Sequence, residues 1–393
     1  MKREVVGFSK MANEMFNKEL LKSPFFFSSP YNSMLGVGIK TQCSHSIPFS
    51  QLASKAEELL KKAKTKDSDN PVLFATVPFD ERTPTQFCIP ETLYVSSSTR
   101  SQGSSDCTSQ KAKVISPPTG EDYKNGVSHL LDLFDTTELS KVVLSRSVKI
   151  TTDENINQCS LLRNLLSINT NGYTFCSQIS ERSKLMGASP ELLLSKKGSH
   201  VLSNPLAGSR AKSSCGIENQ NAYSSLLDTQ KDLNEHNLVV EEVEKVLSNY
   251  CHNLYSPMVP SVIETETMLH LSTVLQGQAD DPNINALKIA AELHPTPAVC
   301  GFPRQPAYAA IKEIENFDRG YFTGMVGWCD ARGNGEWVVT IRCAEVSLRS
   351  MSIYAGAGIV HESSPQSELD ETGAKMKTIL RAAGIQVDEL LTV

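Results

Sequence analysis

A strong hairpin signal in the carboxy-terminal third of the chain restricts the fold more than any other feature. Two apolar runs rich in β-branched residues, 323-TGMVGWCD-330 and 336-EWVVTIRCAEV-346, flank a turn that contains Gly333-Asn334-Gly335. Runs of this kind on either side of a glycine-asparagine turn are typical of antiparallel strands. The chain is therefore expected to contain antiparallel sheet.

Further strand and helix signals alternate along the chain. Short apolar runs predict strands at 71-PVLFATVPFD-80, 141-KVVLSRSVKI-150, 173-YTFCSQI-179, 191-ELLLSKK-197, 200-HVLSNPLAGS-209 and 352-SIYAGAGIV-360. Helices are predicted at 123–134, 224–250, 284–293 and 306–315, with a final helix that begins at Ser364-Pro365. Because hairpins join the strands as often as helices do, the pattern indicates a mixed, largely antiparallel α+β fold without an internal linker.

Two segments give weaker signals. Residues 1–23 read as a polar, helix-like lead-in, and residues 24–393 are taken as one domain. The segment 96–119 is rich in Ser, Thr and Gln and contains glycine and two prolines, which predicts a surface loop. No chemistry is assigned to this loop.

Charge restricts the partners of the chain. The formal net charge is −6 at pH 7 and no basic stripe is present, so a nucleic-acid partner is not expected. A chain of this charge repels an anionic substrate at long range. If the substrate is anionic, Arg, Lys or a metal ion must reverse the field at the site.

Membrane and disulfide signals are also missing from the sequence. No run approaches the roughly 20 apolar residues of a membrane span, and the start, MKREVV, has no apolar signal-peptide core. The ten cysteines are scattered singly without a CxxC pair. We therefore expect free thiols, a cytoplasmic location and no contact with a membrane.

The glycine pair in 355-AGAGIV-360 has two interpretations. Neither a GxGxxG nor a GxxxxGK[ST] phosphate loop occurs, and the pair lies in a predicted strand rather than at a helix start. It is either a close crossing of two backbones or a wall of small residues that lets a ligand approach the main chain. The pattern does not choose between them.

Acidic residues on two helices are candidate metal ligands. Glu368, Glu371 and Lys375 fall at i, i+3 and i+7 and share one helix face, which is either a solvated face or a site for a hard cation. Mg²⁺ typically takes one or two protein carboxylates and completes its shell with water and ligand oxygens. The central helix also offers acidic residues, and the pattern cannot choose among Asp232, Glu235, Glu241 and Glu242.

Seven ordered motifs resemble the chorismate-utilising enzymes, namely 141-KVVLSR-146, 187-GASPELLL-194, 205-PLAGS-209, 294-HPTPAVCGFP-303, 324-GMVGWCD-330, 335-GEWVVTIRCA-344 and 355-AGAGIV-360. The early 24-PFFFSSPYNS-33 and the late 371-ETGAK-375 resemble the isochorismate synthases of enterobactin-type siderophore pathways in particular. The resemblance covers about Pro24 to Leu380 and is dense from Lys141 onward. It implies a single-domain sandwich of large, mostly antiparallel sheets with helices outside, and catalytic residues within 24–393.

The resemblance also implies a ligand set for Mg²⁺. Glu235 and Glu371 would bind the metal directly, and Glu368 would act through a water molecule. The metal would hold the ring carboxylate of chorismate, with help from backbone N–H groups near Gly208.

Other positions would bind the rest of the substrate by the same resemblance. Arg342 would pair with the enolpyruvyl carboxylate, which suits its planar guanidinium fork. Gly356 would offer a main-chain donor, and Lys375 would add positive charge. His270, Phe322 and Ala298 would line the cavity, although packed core residues are the alternative for the first two.

The implied reaction is the reversible conversion of chorismate to isochorismate, in which water adds at C2 and the C4 hydroxyl leaves. Lys141 occupies the family position of the base and Glu191 that of the acid. Lys141 must be neutral to accept a proton, and Glu191 must start protonated. Burial favours both states.

Several residues separate the chain from related enzymes. Ala207 stands where aminodeoxychorismate-forming relatives carry a nucleophilic lysine, and anthranilate synthases lack the lysine that matches Lys141. Ala298 argues against a salicylate synthase, whereas Val299 departs from the leucine that isochorismate synthases often carry.

A menaquinone-pathway isochorismate synthase and an inactive chorismate-binding protein are further alternatives. We expect a monomer without a glutamine amidotransferase subunit. We also expect its reaction to be the first step towards 2,3-dihydroxybenzoate for a catechol siderophore.

Overall fold

The computed structural model describes residues 1–7, 23–66, 68–97, 112–115, 119–213 and 215–385. The helices in this part of the chain are α1 Leu52–Ala63, α2 Gly120–Thr136, α3 Gln158–Ile168, α4 Gly216–Asp228, α5 Gln230–Leu247, α6 Ala286–Leu293, α7 Arg304–Ile314 and α8 Pro365–Ala382. The strands of the first half are β1 Lys2–Val5, β2 Phe25–Ser28, β3 Asn32–Val37, β4 Thr41–His45, β5 Val72–Val77, β6 Thr85–Ile89, β7 Thr92–Ser97, β8 Ala112–Ile115, β9 Lys141–Thr152, β10 Tyr173–Gln178 and β11 Lys184–Ser189. Those of the second half are β12 Leu192–Lys197, β13 His200–Asn204, β14 Leu206–Ala211, β15 Cys251–Tyr255, β16 Ser261–Glu264, β17 Met268–Ser272, β18 Leu275–Ala279, β19 Gly301–Phe302, β20 Met325–Asp330, β21 Gly335–Val339, β22 Cys343–Val346 and β23 Ser350–Ile359.

Two large sheets and one small sheet organise these strands. The first sheet has the order β1-β7-β3-β2-β10-β11-β22-β23-β9-β19, with β8 also paired to β9. The second has the order β15-β18-β13-β12-β21-β20-β5-β6-β4, and β14, β17 and β16 form the small sheet. Apart from β1 with β7, the described strand pairs are antiparallel. This confirms the α+β class and the predominance of antiparallel pairing.

The two large sheets pack face to face through an aromatic core. The rings of Phe25 on β2 and Phe74 on β5 stack with centroids 4.2 Å apart. Leu185, Leu192 and Val338 extend the same cluster from both sheets. Burial of apolar surface from two facing sheets is the main force that stabilises such a sandwich.

Helices cover the outer faces of both sheets. Helices α1, α5 and α6 place their apolar sides on the second sheet, while α3 and α8 cover the first. Helix α8 begins as predicted, because the Ser364 side chain accepts a hydrogen bond from the Ser367 backbone N–H and Pro365 occupies the first turn. The predicted sandwich with helices outside is confirmed.

The predicted long helix over 224–250 is two helices. Thr229 has extended backbone angles and separates α4 from α5. Leu226 on α4 packs with Leu269 and Leu271 of the small sheet, whereas Val239 and Val243 on α5 join the core of the second sheet. Because the two halves face different cores, one straight helix could not bury both.

The predicted strand 336–346 is also divided. Its first part is β21 of the second sheet and its last part is β22 of the first sheet. Arg342 lies at the crossover with a φ of +48°. The apolar pattern continues through the crossover because both strands are buried, so the change of sheet leaves little trace in the sequence.

Two predictions near the amino terminus need correction. Lys2–Val5 is a strand paired with β7 rather than part of a helix, while residues 8–22 lie outside the described part of the chain. Within the predicted loop 96–119, Ala112–Ile115 pairs with β9, and residues 98–111 and 116–118 are outside the described part. In the described part, none of the helices combines the length and the hydrophobicity that crossing a membrane requires.

Candidate active site

A cavity that is partly open to solvent lies where the first sheet, the small sheet and α8 meet. Its wall includes seven of the predicted site residues, namely Glu191, His270, Ala298, Phe322, Arg342, Gly356 and Lys375. Lys141 lies just outside this wall on β9, two residues before Val143, which lines the cavity. The residues that the motifs pointed to are thus gathered at one place.

Two adjacent crossovers between the large sheets present Glu191 and Arg342. Glu191 stands between β11 of the first sheet and β12 of the second, and Arg342 stands between β21 and β22. The crossovers are hydrogen bonded to each other, from Ala188 N to Arg342 O at 3.0 Å and from Val339 N to Glu191 O at 3.3 Å. This arrangement places an acid and a cation side by side on the cavity wall.

Arg342 is oriented by a buried relay of polar groups. Its Nη2 donates to His270 Nε2 over 3.2 Å, and the other ring nitrogen, Nδ1, lies 2.8 Å from Ser209 Oγ. Burial, together with the charge of Arg342, holds the pKa of His270 well below its ordinary value, so the ring is neutral. A neutral ring that accepts from Arg342 at Nε2 carries its proton on Nδ1 and donates it to Ser209.

Glu191 has the properties of a carboxylic acid that keeps its proton near neutrality. Burial raises its pKa to about 7, although a hydrogen bond from the Leu206 backbone and the charges of Lys141, Arg342 and Lys375 act in the opposite direction. Desolvation of the carboxylate therefore outweighs three cations. A group of this kind can donate a proton at physiological pH.

Lys141 is fully buried at the start of β9. Its Nζ lies 3.0 Å from Glu235 Oε1 on α5, although this ion pair lacks good hydrogen-bond geometry. A buried lysine held by a single carboxylate can change partner when a substrate or cation enters.

The glycine pair on β23 makes room for this contact. Gly358 pairs with Val143 across the sheet, and a Cβ atom at Gly358 would lie 2.1 Å from Glu235 Oε1 and 3.0 Å from Lys141 Cε. Gly356 pairs with Ser145 and lines the cavity. Gly358 therefore leaves room for the Lys141–Glu235 contact, and of the two glycines only Gly356 lines the cavity.

The three candidate metal ligands each contact a lysine. Besides the pair of Lys141 with Glu235, Lys231 Nζ lies 2.8 Å from Glu368 Oε1, and Lys375 Nζ lies 2.6 Å from Glu371 Oε1. Among the described residues, no three Asp, Glu, His or Cys side chains stand together as a ready-made metal cage. Glu368 and Glu371 nevertheless lie close together: burial raises the pKa of Glu368, and the charge of Glu371 raises it further. Burial, with smaller contributions from both carboxylates, also raises the pKa of Tyr123.

The chemistry of these glutamates fits Mg²⁺. They supply only oxygen donors, which a hard cation prefers, and Mg²⁺ needs no more than one or two protein carboxylates. Glu371 lies on the same helix face as Lys375, whose Nζ also donates to Gly356 O at 2.9 Å. The carboxylates thus adjoin the cavity rather than facing bulk solvent.

The remaining predicted residues have different surroundings. Ala298 and Phe322 line the cavity, whereas Gly208 does not. Gly208 has a φ of +78°, and its neighbour Ser209 faces the cavity instead. Ser209 and Thr323 also line the cavity, although neither was predicted to do so. Of these two, only Ser209 lies within one of the family motifs, 205-PLAGS-209.

Comparison with known proteins shows the family of the chain. The chorismate binding enzyme family matches residues 87–384. The chain is 62% identical over 392 residues to the vibriobactin-specific isochorismate synthase of Vibrio cholerae serotype O1. The alignment covers 100% of this chain and 99% of that relative. It is 45% identical to the isochorismate synthase DhbC of Bacillus subtilis, over 92% of this chain and 94% of the relative.

A solved structure shows the same architecture. The crystal structure of DhbC from Bacillus anthracis, named as a 2,3-dihydroxybenzoate-specific isochorismate synthase, is 41% identical, with a TM-score of 0.90 over 95% of this chain and 99% of that one. The chain belongs to the chorismate binding enzymes, within their isochorismate synthases.

Proposed function

We propose that the isochorismate synthase reaction of this chain takes place in the cavity bounded by Glu191, Arg342 and Gly356, with Lys141 and Glu191 as the two proton-transfer groups. The observation that carries the proposal is the pairing of a buried Glu191, whose pKa is raised to about 7, with a buried Lys141 beside the same cavity. An acid and a base are both needed, because water enters the ring at C2 while hydroxyl leaves from C4.

Each of the two groups performs one proton transfer. Lys141 accepts a proton from the incoming water, and Glu191 donates its proton to the departing hydroxyl. The ring double bonds shift between the two carbons, so the product is an isomer of the substrate. The reverse reaction requires the two residues to exchange roles.

Arg342 and Lys375 supply the positive charge that a dianionic substrate requires. Both residues line the cavity. Arg342 is buried and Lys375 is largely buried, so salt and water screen their charges less than they screen surface charges. Arg342 would bind the enolpyruvyl carboxylate through its guanidinium fork. This local charge answers the long-range repulsion expected from a net charge of −6.

Mg²⁺ is the proposed cofactor. Glu235 and Glu371 would hold it directly and Glu368 through water, while Lys141 and Lys375 would exchange their present carboxylate partners. When bound, the ion would supply positive charge for the ring carboxylate of chorismate. Release from Glu235 would also leave Lys141 available to the incoming water.

The pathway follows from the relatives. The enzyme is an isochorismate synthase of a siderophore pathway, in line with its identity to the vibriobactin-specific and DhbC enzymes. We propose that the isochorismate is used to make 2,3-dihydroxybenzoate, as the name of the Bacillus anthracis protein states for that protein. Ala298 in the cavity wall supports this over a salicylate synthase.

Product analysis tests the reaction. Purified enzyme incubated with chorismate and Mg²⁺ should form isochorismate as the main product, separated by liquid chromatography. The same mixture with high ammonium should give no aminated product, because Ala207 offers no nucleophilic amine. Salicylate and pyruvate as primary products near neutral pH would instead identify a salicylate synthase.

A further inference from the structure

Strand β9 lacks a strand partner along part of one edge, next to the proposed base. One edge of β9 pairs with β23 from Val142 to Thr151. The other edge pairs with β19 at Lys141 and Val142 and with β8 from Lys149 to Thr152. Between these two pairings, no described strand lies against the second edge of β9.

Two side chains take the place of the missing strand. Glu315 Oε1 accepts a hydrogen bond from the Ser145 backbone N–H at 2.8 Å. Arg319 Nη2 donates to the Val143 backbone oxygen at 2.6 Å. Buried backbone groups must be paired, and here a glutamate and an arginine pair them as a neighbouring strand would.

The same arginine holds two further pieces of the cavity wall. Its Nη1 donates to Val299 O at 2.8 Å and to Thr323 Oγ1 at 3.2 Å, and its guanidinium lies 6.0 Å from the Phe322 ring centroid. Val143, Val299, Phe322 and Thr323 all line the cavity, whereas Arg319 and Glu315 do not. Arg319 therefore connects three separate segments of the wall from behind.

The pair is fully enclosed. The side chains of Arg319 and Glu315 are 1% and 2% exposed, and Arg319 Nε donates to Glu315 Oε2 at 2.8 Å. Burying two charges carries a desolvation penalty, and apolar residues of equal volume are often as good for stability. Apolar residues would, however, leave Ser145 N and Val143 O unpaired. A strand in this position would pair them, but its alternating side chains would enter the space of the wall.

We propose that Glu315 and Arg319 are positioning residues for the isomerisation, which fix the Lys141–Ser145 segment of β9 relative to the Val299 and Thr323 segments and so set the reach of Lys141 into the cavity. This inference rests on the proposed function, in which Lys141 is the base. A displacement of about 1 Å at a reacting group can lower a rate by roughly a hundredfold. The pair thus acts on the rate without touching the substrate.

The main test is Arg319→Lys in the Mg²⁺-loaded enzyme. Lysine keeps the charge next to Glu315 but cannot bridge the Val143 and Val299 oxygens as the guanidinium does. We expect kcat to fall by about 10- to 100-fold, while KM for chorismate stays within about threefold because Arg342 and Lys375 lie on other elements. Glu315→Gln keeps an oxygen for Ser145 N, and its kcat should lie between the wild-type and Arg319→Lys values.

Lys312→Met is the matched control. Lys312 lies on α7, and its Nζ is 2.7 Å from Asp80 Oδ2. Neither residue lines the cavity. Its kcat and KM should be unchanged. If Arg319→Lys lowered only the melting temperature, or raised KM at constant kcat, the positioning role would be wrong.

A double-mutant cycle separates this inference from the proposed base. If Arg319 acts through Lys141, then Lys141→Ala/Arg319→Lys should have the kcat of Lys141→Ala alone. Fully additive losses would contradict the positioning of Lys141. Near-normal kcat in Lys141→Ala alone would contradict the base assignment, whereas a disabled Lys141→Ala with an unaffected Arg319→Lys would contradict only the positioning role.

Discussion

At the scale of single residues, the site keeps charged groups where folding alone does not favour them. Lys141 is completely buried and Glu191 is 3% exposed. A buried charge is destabilising unless it is paired or changes its protonation state, and apolar replacements are often tolerated or stabilising. The presence of both groups beside one cavity is therefore better explained by chemistry than by stability.

Removing either proton-transfer group should lower the rate much more than binding. We expect Lys141→Ala and Glu191→Gln each to lower kcat by at least about a hundredfold, since general acid–base catalysis typically contributes about 10²–10⁴. Chorismate binding should change much less, because Arg342 and Lys375 carry the charge contacts. Steady-state kinetics in both directions should show forward and reverse rates falling together.

The chain offers a matched control for each variant. Lys196 is 1% exposed and donates to Pro282 O at 2.8 Å, and Glu336 is a buried carboxylic acid whose pKa burial also raises to about 7. Neither lines the cavity. Lys196→Ala and Glu336→Gln should retain kcat, and a Lys141→Ala enzyme as active as Lys196→Ala would show that another group activates the water.

The pH dependence of the rate should reflect Glu191. The acid must carry its proton, and burial raises its pKa from 4.5 to about 7 in the free enzyme, so kcat/KM for isochorismate formation should fall as pH rises through about 7. The raised pKa of Glu191 also affects stability. Its contribution to the free energy of unfolding is fully present below the unfolded-state pKa of about 4.5 and is lost as pH rises through about 7. In Glu191→Gln, the decrease in rate as pH rises through about 7 should disappear from the pH–rate profile. In Glu336→Gln, the same decrease should remain. A decrease at unchanged pH in Glu191→Gln would assign it to another group.

At the scale of secondary structure, periodicity predicted what is local. The i, i+3, i+7 spacing placed Glu368, Glu371 and Lys375 on one face of α8, and the contact of Lys375 with Glu371 confirms this. Spacing could not show that Lys141 contacts Glu235, because the two lie 94 positions apart and meet only through the tertiary fold. It also could not show that Arg342 lies at a crossover between sheets, because the buried strands on both sides read as one apolar run.

A single methyl group on β23 should test how closely α5 must approach this strand. In Gly358→Ala the added Cβ would overlap Glu235 Oε1 and crowd Lys141 Cε, so the carboxylate must move. We expect kcat/KM to fall by at least about tenfold, because small displacements of catalytic groups are costly. Circular dichroism should show the fold retained.

Gly216→Ala is the control for this substitution. An added Cβ at Gly216, the first residue of α4, meets nothing within 4 Å. Its kinetics should match the wild type. A Gly358→Ala enzyme with unchanged kinetics would mean that Glu235 does not need its observed position.

At the scale of the whole molecule, an acidic chain builds a cationic cavity. The net charge is −6, yet Lys141, Arg342 and Lys375 all act on the carboxyl of Glu191. The sandwich makes this possible because its two crossovers bring Glu191 and Arg342 to one wall, while α5 and α8 bring Glu235 and Glu371 towards it. In the structure, these carboxylates balance the charges of Lys141 and Lys375.

Metal removal should therefore affect both turnover and stability. Chelation with EDTA should abolish isochorismate formation, and added Mg²⁺ should restore it. Mg²⁺ should also raise the melting temperature, because a ligand that binds only the folded state stabilises it by about 2.7 kcal/mol at 100 times its Kd. Glu371→Ala should lose this increase in melting temperature while keeping its circular dichroism spectrum. Glu242 pairs with Lys245 on the same helix, α5, and serves as the control. Glu242→Ala should keep the increase. Full activity in excess EDTA would contradict the metal site, and an unchanged thermal shift in Glu371→Ala would place any bound ion elsewhere.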